Sequence, residues 1–230
     1  MEKIFQTICD KCKNLYNDDG KRYCFKLPIA VKRYEPYEYL KGSQNPEVLI
    51  ITINPAGPVG SIHTSTKESL KSFNPIVEYS KFYHWYNKMS PRLFLNWSNM
   101  SAQKQVVAET DLYKCHSISV DEKLKANLSE NCFPFLEKQL KMHSSTLKVI
   151  ICNGRIVGDK LKEKFKNNLF NEIVFHKEYN ISSQDLIVKN FKLKAKIIFC
   201  PFIQSRLKAE KRLAIGSIIE QVISGQDIFL

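Results

Sequence analysis

The stretch Glu47 to Gly57, EVLIITINPAG, constrains this chain more than any other. Val48 to Ile53 are apolar or β-branched, carry no charge, and stop abruptly at Asn54-Pro55-Ala56-Gly57. An uninterrupted apolar run of this length, bounded by turn residues, reads as a strand buried on both faces. The turn at its carboxyl end stands where an open α/β sheet places its ligand crevice, so Asn54 becomes a polar side chain at the lip of a dry scaffold. Taken alone, an Asn before Pro is a turn former; the neighbouring motifs decide whether it does chemistry.

Two further runs follow the same logic. Leu147 to Cys152 ends in Asn153-Gly154, and Lys196 to Cys200 ends at Pro201. Residues 105–113 suggest another strand, 172–176 a short one, and 181–194 a variable loop or hairpin. Helices are expected from Ser129 to Lys141, over 156–167, and over 205–223 with Ser205 at its start. Strands alternating with helices predict an α/β fold, a three-layer αβα sandwich around a mainly parallel four-stranded sheet. The 230 residues fit a single domain, with residues 1–46 as an amino-terminal arm. Residues 58–75 read as a loop beside the site. Tyr79, Phe82, Tyr83 and Tyr86 recur at helical spacing, which favours core packing over a base-stacking platform.

Charge narrows the partner. Thirty-five Lys and Arg against 23 Asp and Glu give a net charge of +12, an excess that suits a polyanion, with nucleic acid first. The plainer alternative is a basic protein without such a partner. No apolar run approaches the roughly 18 residues needed to span a bilayer, and the first residues lack a secretory signal, so an intracellular, cytoplasmic protein is expected. In that reducing setting the seven cysteines argue against a disulfide framework and leave metal binding open. Cys9 and Cys12 form a C-x2-C pair; Cys115 and Cys132 come later, and four thiolates would suit a structural zinc or an iron–sulfur cluster. Cys24 competes as a ligand, whereas Cys152 and Cys200, on expected strands, read as small buried hydrophobes. The five histidines show no metal spacing.

The segments Thr110-Asp111-Leu112-Tyr113-Lys114-Cys115 and Cys132-Phe133-Pro134-Phe135-Leu136 resemble the T-N-x-x-K-C … C-x-x-F-L pattern of family-4 uracil-DNA glycosylases. The resemblance implies a [4Fe–4S] cluster held by Cys9, Cys12, Cys115 and Cys132, the arm supplying the first two. Ile53-Asn54-Pro55-Ala56-Gly57 departs from family 4 and is more similar to the I-N-P-G turn of the mismatch-specific uracil/thymine glycosylases, in which the Asn positions the attacking water. Cys200-Pro201-Phe202-Ile203-Gln204-Ser205-Arg206 resembles the loop that those enzymes insert into the duplex, with Cys200 at a position that other branches fill with His.

The resemblance implies a monofunctional DNA glycosylase acting on duplex or single-stranded DNA. It would flip a nucleotide out, hydrolyse its N-glycosidic bond and leave an abasic site. Asn54 would orient the water. Ile53 and the Pro55–Gly57 turn would line the base pocket, and backbone N–H groups of that turn would stabilise the departing base. Phe73 or Tyr79 would stack on the base, and Pro201, Phe202, Gln204, Ser205 and Arg206 would meet the DNA.

Asp111 replaces the family's uracil-reading Asn. An ionised carboxylate only accepts hydrogen bonds, which disfavours the O4 of uracil and suits the N4 amine of a cytosine. A modified cytosine, such as the glucosylated 5-hydroxymethylcytosine of phage DNA, is therefore one expected substrate, and anti-phage defence the role it implies. A protonated Asp111 would restore uracil recognition and a repair role. Alternatively, Asp111 activates water and leaves recognition to the backbone. The non-enzymatic alternative is a catalytically inactive, metal-stabilised DNA-binding module. A nucleotide-binding enzyme is disfavoured, because no glycine-rich phosphate loop follows any strand.

Overall fold

A computed structural model of the chain describes residues 41–43, 45–53, 88–89, 106–112, 122–177, 180–203 and 207–224. The chain divides into two compact units. One comprises residues 1–39, 53–73 and 111–139, and the other residues 40–52, 74–110 and 140–230. The second unit is built on a sheet.

That sheet contains β1 (Lys41–Gly42), β2 (Val48–Thr52), β3 (Val107–Asp111), β4 (Val149–Asn153), β5 (Leu169–His176), β6 (Ile181–Val188) and β7 (Leu193–Cys200). Their order across the sheet is β1-β3-β2-β4-β7-β6-β5. At its centre β2, β4 and β7 run parallel, with Ile51 opposite Cys152 and Cys152 opposite Phe199. Every residue of β2 and β4 is buried, as are the last four of β7. A strand buried along its whole length reads as a continuous apolar run, as VLIIT and most of VIICN do.

The expectation of a mainly parallel four-stranded sheet is corrected. The sheet is mixed and has six strands of five to eight residues plus the two-residue β1, which pairs antiparallel with β3. The additional strands come from residues 169–188: β5 and β6 form an antiparallel hairpin that continues antiparallel onto β7. In β6 the sequence ISSQDLIV is polar in its first half, yet Ile181, Ser183, Leu186 and Val188 are buried while the residues between them are partly exposed. Burial in β6 alternates in two short stretches, Ile181 with Ser183 and Leu186 with Val188, so the strand has neither a continuous apolar run nor a single dry face.

Three helices are described over their length. Helix α1 (Glu122–Met142) starts seven residues before the expected Ser129 and runs through an exposed Pro134. Its buried residues Cys132, Phe135, Leu136, Gln139 and Leu140 recur at three- and four-residue spacing and form one stripe. Helix α2 (Arg155–Lys164) buries Val157 and Leu161 and packs on β4 and β7. Helix α3 (Ala209–Ile223) packs on β4 and buries Ile215, Ile218 and Ile219. It begins four residues after Ser205, the expected start. Among the described residues, no helix is long and apolar enough to cross a membrane.

Candidate functional site

Parallel pairing fixes where the three central strands end. Asn153 stands opposite Cys200, and β2 ends at Thr52, one residue beyond the Ile51–Cys152 pair. Thr52, Asn153 and Cys200 therefore mark one carboxyl edge of the sheet, where an α/β fold gathers its ligand-binding turns. The chain leaves this edge in three places: first after Thr52, second at the Asn153-Gly154 turn, and third at the turn begun by Pro201.

Ile53, next after β2, is half-buried; Asn54, Pro55, Ala56 and Gly57 lie outside the described residues, as do Phe73 and Tyr79. Asp111 closes β3 and is 1% exposed, so its carboxyl is removed from bulk water. Cys132 is buried on α1. Cys9, Cys12 and Cys115 lie outside the described residues, so only one member of the expected ligand set is described. Among the described residues, no group of three or more His, Cys, Asp or Glu side chains could hold a metal ion.

The second and third turns are fastened together. Asn153 is buried, and its Oδ1 accepts the backbone N–H of Ile203 at 2.7 Å. The N–H of Gly154 donates to the Cys200 carbonyl at 3.1 Å. Gly154 holds φ +105°, a conformation that residues with a Cβ rarely adopt, and this lets the chain turn sharply from β4 into α2. A Cβ at this position would stand 3.6 Å from Cβ and Cδ2 of Phe202, so the Phe202 side chain lies over the glycine. Phe202 nevertheless remains 37% exposed, while Ile203 beside it is 1% exposed. Gln204, Ser205 and Arg206, the rest of the expected DNA-binding loop, lie outside the described residues. Residue-by-residue reading had marked Asn153-Gly154 only as a turn; its partner is fifty residues away.

Beside this junction lies a cleft of about 470 Å³ between α2 and the β5–β6 hairpin, lined by Arg155, Lys162, Phe199, Cys200 and Pro201 among others. The Lys162 ammonium lies 4.4 Å from the centre of the Phe199 ring, a cation–π arrangement, and 3.8 Å from the Glu172 carboxylate. Arg155 points outward, pairs with Asp159 at 3.3 Å and is largely exposed. The cleft thus has an aromatic floor and a rim of both charge signs.

Cys152 and Cys200 behave as the small buried hydrophobes expected of them. The Cys200 thiol donates to the Cys152 carbonyl at 3.4 Å. Burial pushes the Cys200 pKa up to about 12, against a smaller lowering effect of the Gly154 hydrogen bond. Burial likewise raises Cys152, with Cys200 adding to the effect and Lys162 opposing it. Both thiols stay protonated at neutral pH, so neither is a ready nucleophile or metal ligand.

The chain matches no protein-family model and no curated protein.

Proposed function

We propose that this chain is a monofunctional DNA glycosylase of the uracil-DNA glycosylase type, folded as an αβα sandwich and working at the carboxyl edge of its sheet. One observation carries the reading. β2 and β7 are parallel to β4 and end with it, so the chain runs on in sequence toward Asn54 and toward Arg206 from the same edge of the sheet. A glycosylase needs this economy of placement. The group that directs water at the sugar and the loop that disturbs the duplex must act on one nucleotide.

In this reading DNA is held through its phosphates by the basic surface, as the +12 charge favours, and the extruded base enters beside Ile53. Asn54 orients the water through its side-chain carbonyl. Backbone N–H groups of the Pro55–Gly57 turn stabilise negative charge on the departing base, and Phe73 or Tyr79 stacks on it. Asp111 reads the base or activates the water. As an ionised acceptor it selects a modified cytosine; as a protonated donor it selects uracil. A [4Fe–4S] cluster on Cys9, Cys12, Cys115 and Cys132, or a structural zinc in its place, would cross-link the amino-terminal arm to the segment around α1.

Base release from defined oligonucleotides tests the proposal. Liberation of free uracil or of a modified cytosine, abolished by Asn54→Ala, supports it. DNA binding without release from any substrate would leave a DNA-binding module.

A further inference from the structure

The junction between the second and third turns has a consequence for how DNA would be met. We infer that Asn153 and Gly154 are positioning residues, which lock the loop after β7 so that Phe202 is presented to DNA already in place; this rests on the reading of the chain as a DNA-acting enzyme. Three contacts hold the segment Cys200 to Ile203 against the end of β4. They are the Ile203 N–H on Asn153 Oδ1, the Gly154 N–H on the Cys200 carbonyl, and the Phe202 side chain over Gly154. The first is 2.7 Å long and sheltered from water at both ends, since Asn153 and Ile203 are each 1% exposed. Buried hydrogen bonds of this kind resist exchange with solvent, because breaking one strands two polar groups.

Phe202 is treated differently from its neighbours. Ile203 and Leu207 are buried, whereas Phe202 keeps more than a third of its surface in water with Gly154 beneath it. An aromatic ring that rests on a glycine and keeps more than a third of its surface in water is suited to stack against a base. A free loop would lose conformational entropy when it ordered against DNA, and that loss would subtract from binding. Here the ordering is done at folding by an amide that touches no DNA. Asn153 is needed because it reaches the Ile203 N–H from the end of a buried strand. Gly154 is needed because φ +105° disfavours a side chain and because a ring lies over it.

The test uses the full-length protein and duplexes carrying uracil, 5-hydroxymethylcytosine or glucosylated 5-hydroxymethylcytosine, each with an adjacent 2-aminopurine, whose fluorescence rises on unstacking. Wild type is expected to raise the signal on at least one duplex. Phe202→Ala is expected to lower the unstacking equilibrium roughly tenfold. Asn153→Leu is expected to do the same while changing overall DNA affinity less than about threefold, since phosphate contacts dominate affinity. Asn153→Asp, which keeps an oxygen for the Ile203 N–H, is expected to restore most of the signal. A purely structural Asn153 would move thermal stability without moving this ratio. Wild-type unstacking in both Phe202→Ala and Asn153→Leu, or no unstacking by wild type on any duplex, overturns the inference. Unstacking that depends on Phe202 and Asn153 without any base release would sustain the inference and defeat the glycosylase reading.

Discussion

Asn153 Oδ1 accepts the backbone N–H of Ile203 at 2.7 Å, joining the end of β4 to the loop that follows β7. Both residues are buried, so water cannot replace the bond if the amide is removed. Asn153→Ala should therefore cost about 1–3 kcal/mol, the penalty for a stranded buried donor, rather than the smaller net value of an exposed hydrogen bond. Urea denaturation monitored by circular dichroism measures it; a loss under about 0.5 kcal/mol would mean that the loop does not depend on this contact.

Gly216 sits in α3 where the helix backbone meets the Met89 carbonyl, and a Cβ there would overlap that oxygen outright. Two effects of Gly216→Ala oppose each other. Helix propensity favours Ala by about 1 kcal/mol. Overpacking costs about 1–3 kcal/mol or more, and the obstacle is backbone, which cannot rotate aside as a side chain can. The clash should win, with a lower Tm for Gly216→Ala. An unchanged or higher Tm would show that α3 can shift away from residue 89.

Asp185 on β6 receives Lys196 Nζ at 2.5 Å and Asn171 Nδ2 at 2.8 Å. Burial alone would raise its pKa, but these two hydrogen bonds, with the charges of Lys196 and Lys194, leave it below the ordinary carboxylate value. A carboxyl depressed by folding adds stability that is full above its unfolded pKa, about 3.9, and is lost as pH falls through the lower folded value. Unfolding free energy should accordingly drop as pH falls below about 4, and Asp185→Asn should flatten part of that drop. The pair is partly solvated, so the difference should be about 1 kcal/mol or less. Identical acid limbs in the two proteins would remove Asp185 as a contributor.

Cys132 lies on the buried stripe of α1, in the position where the family resemblance expects a cluster ligand. The purified protein should contain iron and inorganic sulfide in equal amounts, and Cys132→Ser should lose both along with thermal stability. Zinc in place of iron would keep the four-thiolate site and change its metal. Neither metal at any loading would leave Cys132 a buried thiol.

The parts of the fold that were legible from sequence are those whose surroundings are uniform. β2, β4 and the end of β7 are dry on both faces, so burial alone writes them as unbroken runs such as VLIIT and VIICN. β6 is half-buried and carries Ser182, Ser183, Gln184 and Asp185 directly after Ile181, composition that also suits a loop. β5 is interrupted by register shifts on either side of Ile173 and Val174, and Asn171 has φ 52°, so its alternation does not run cleanly. Ser129 imitates a helix cap, whereas α1 begins seven residues earlier and carries the exposed Pro134 within its length. At the site, the turn at Asn153-Gly154 was readable. The bond from Asn153 to Ile203 was not, because local pattern carries no information about a partner fifty residues away.

The central claim is that a base leaves DNA at the edge where β2, β4 and β7 end. The direct measurement is mass spectrometry of bases freed from duplex and single-stranded oligonucleotides. The panel holds uracil, a G·T mismatch, hypoxanthine, cytosine, 5-hydroxymethylcytosine and its glucosylated form. The account predicts release of uracil or of a modified cytosine but not of ordinary cytosine, with Asn54→Ala slowing release at least about a hundredfold while DNA affinity is retained. Asp111→Asn should shift the preference toward uracil if the wild type takes a modified cytosine. Tight DNA binding with no base released from any substrate, or release unaffected by Asn54→Ala, would contradict it.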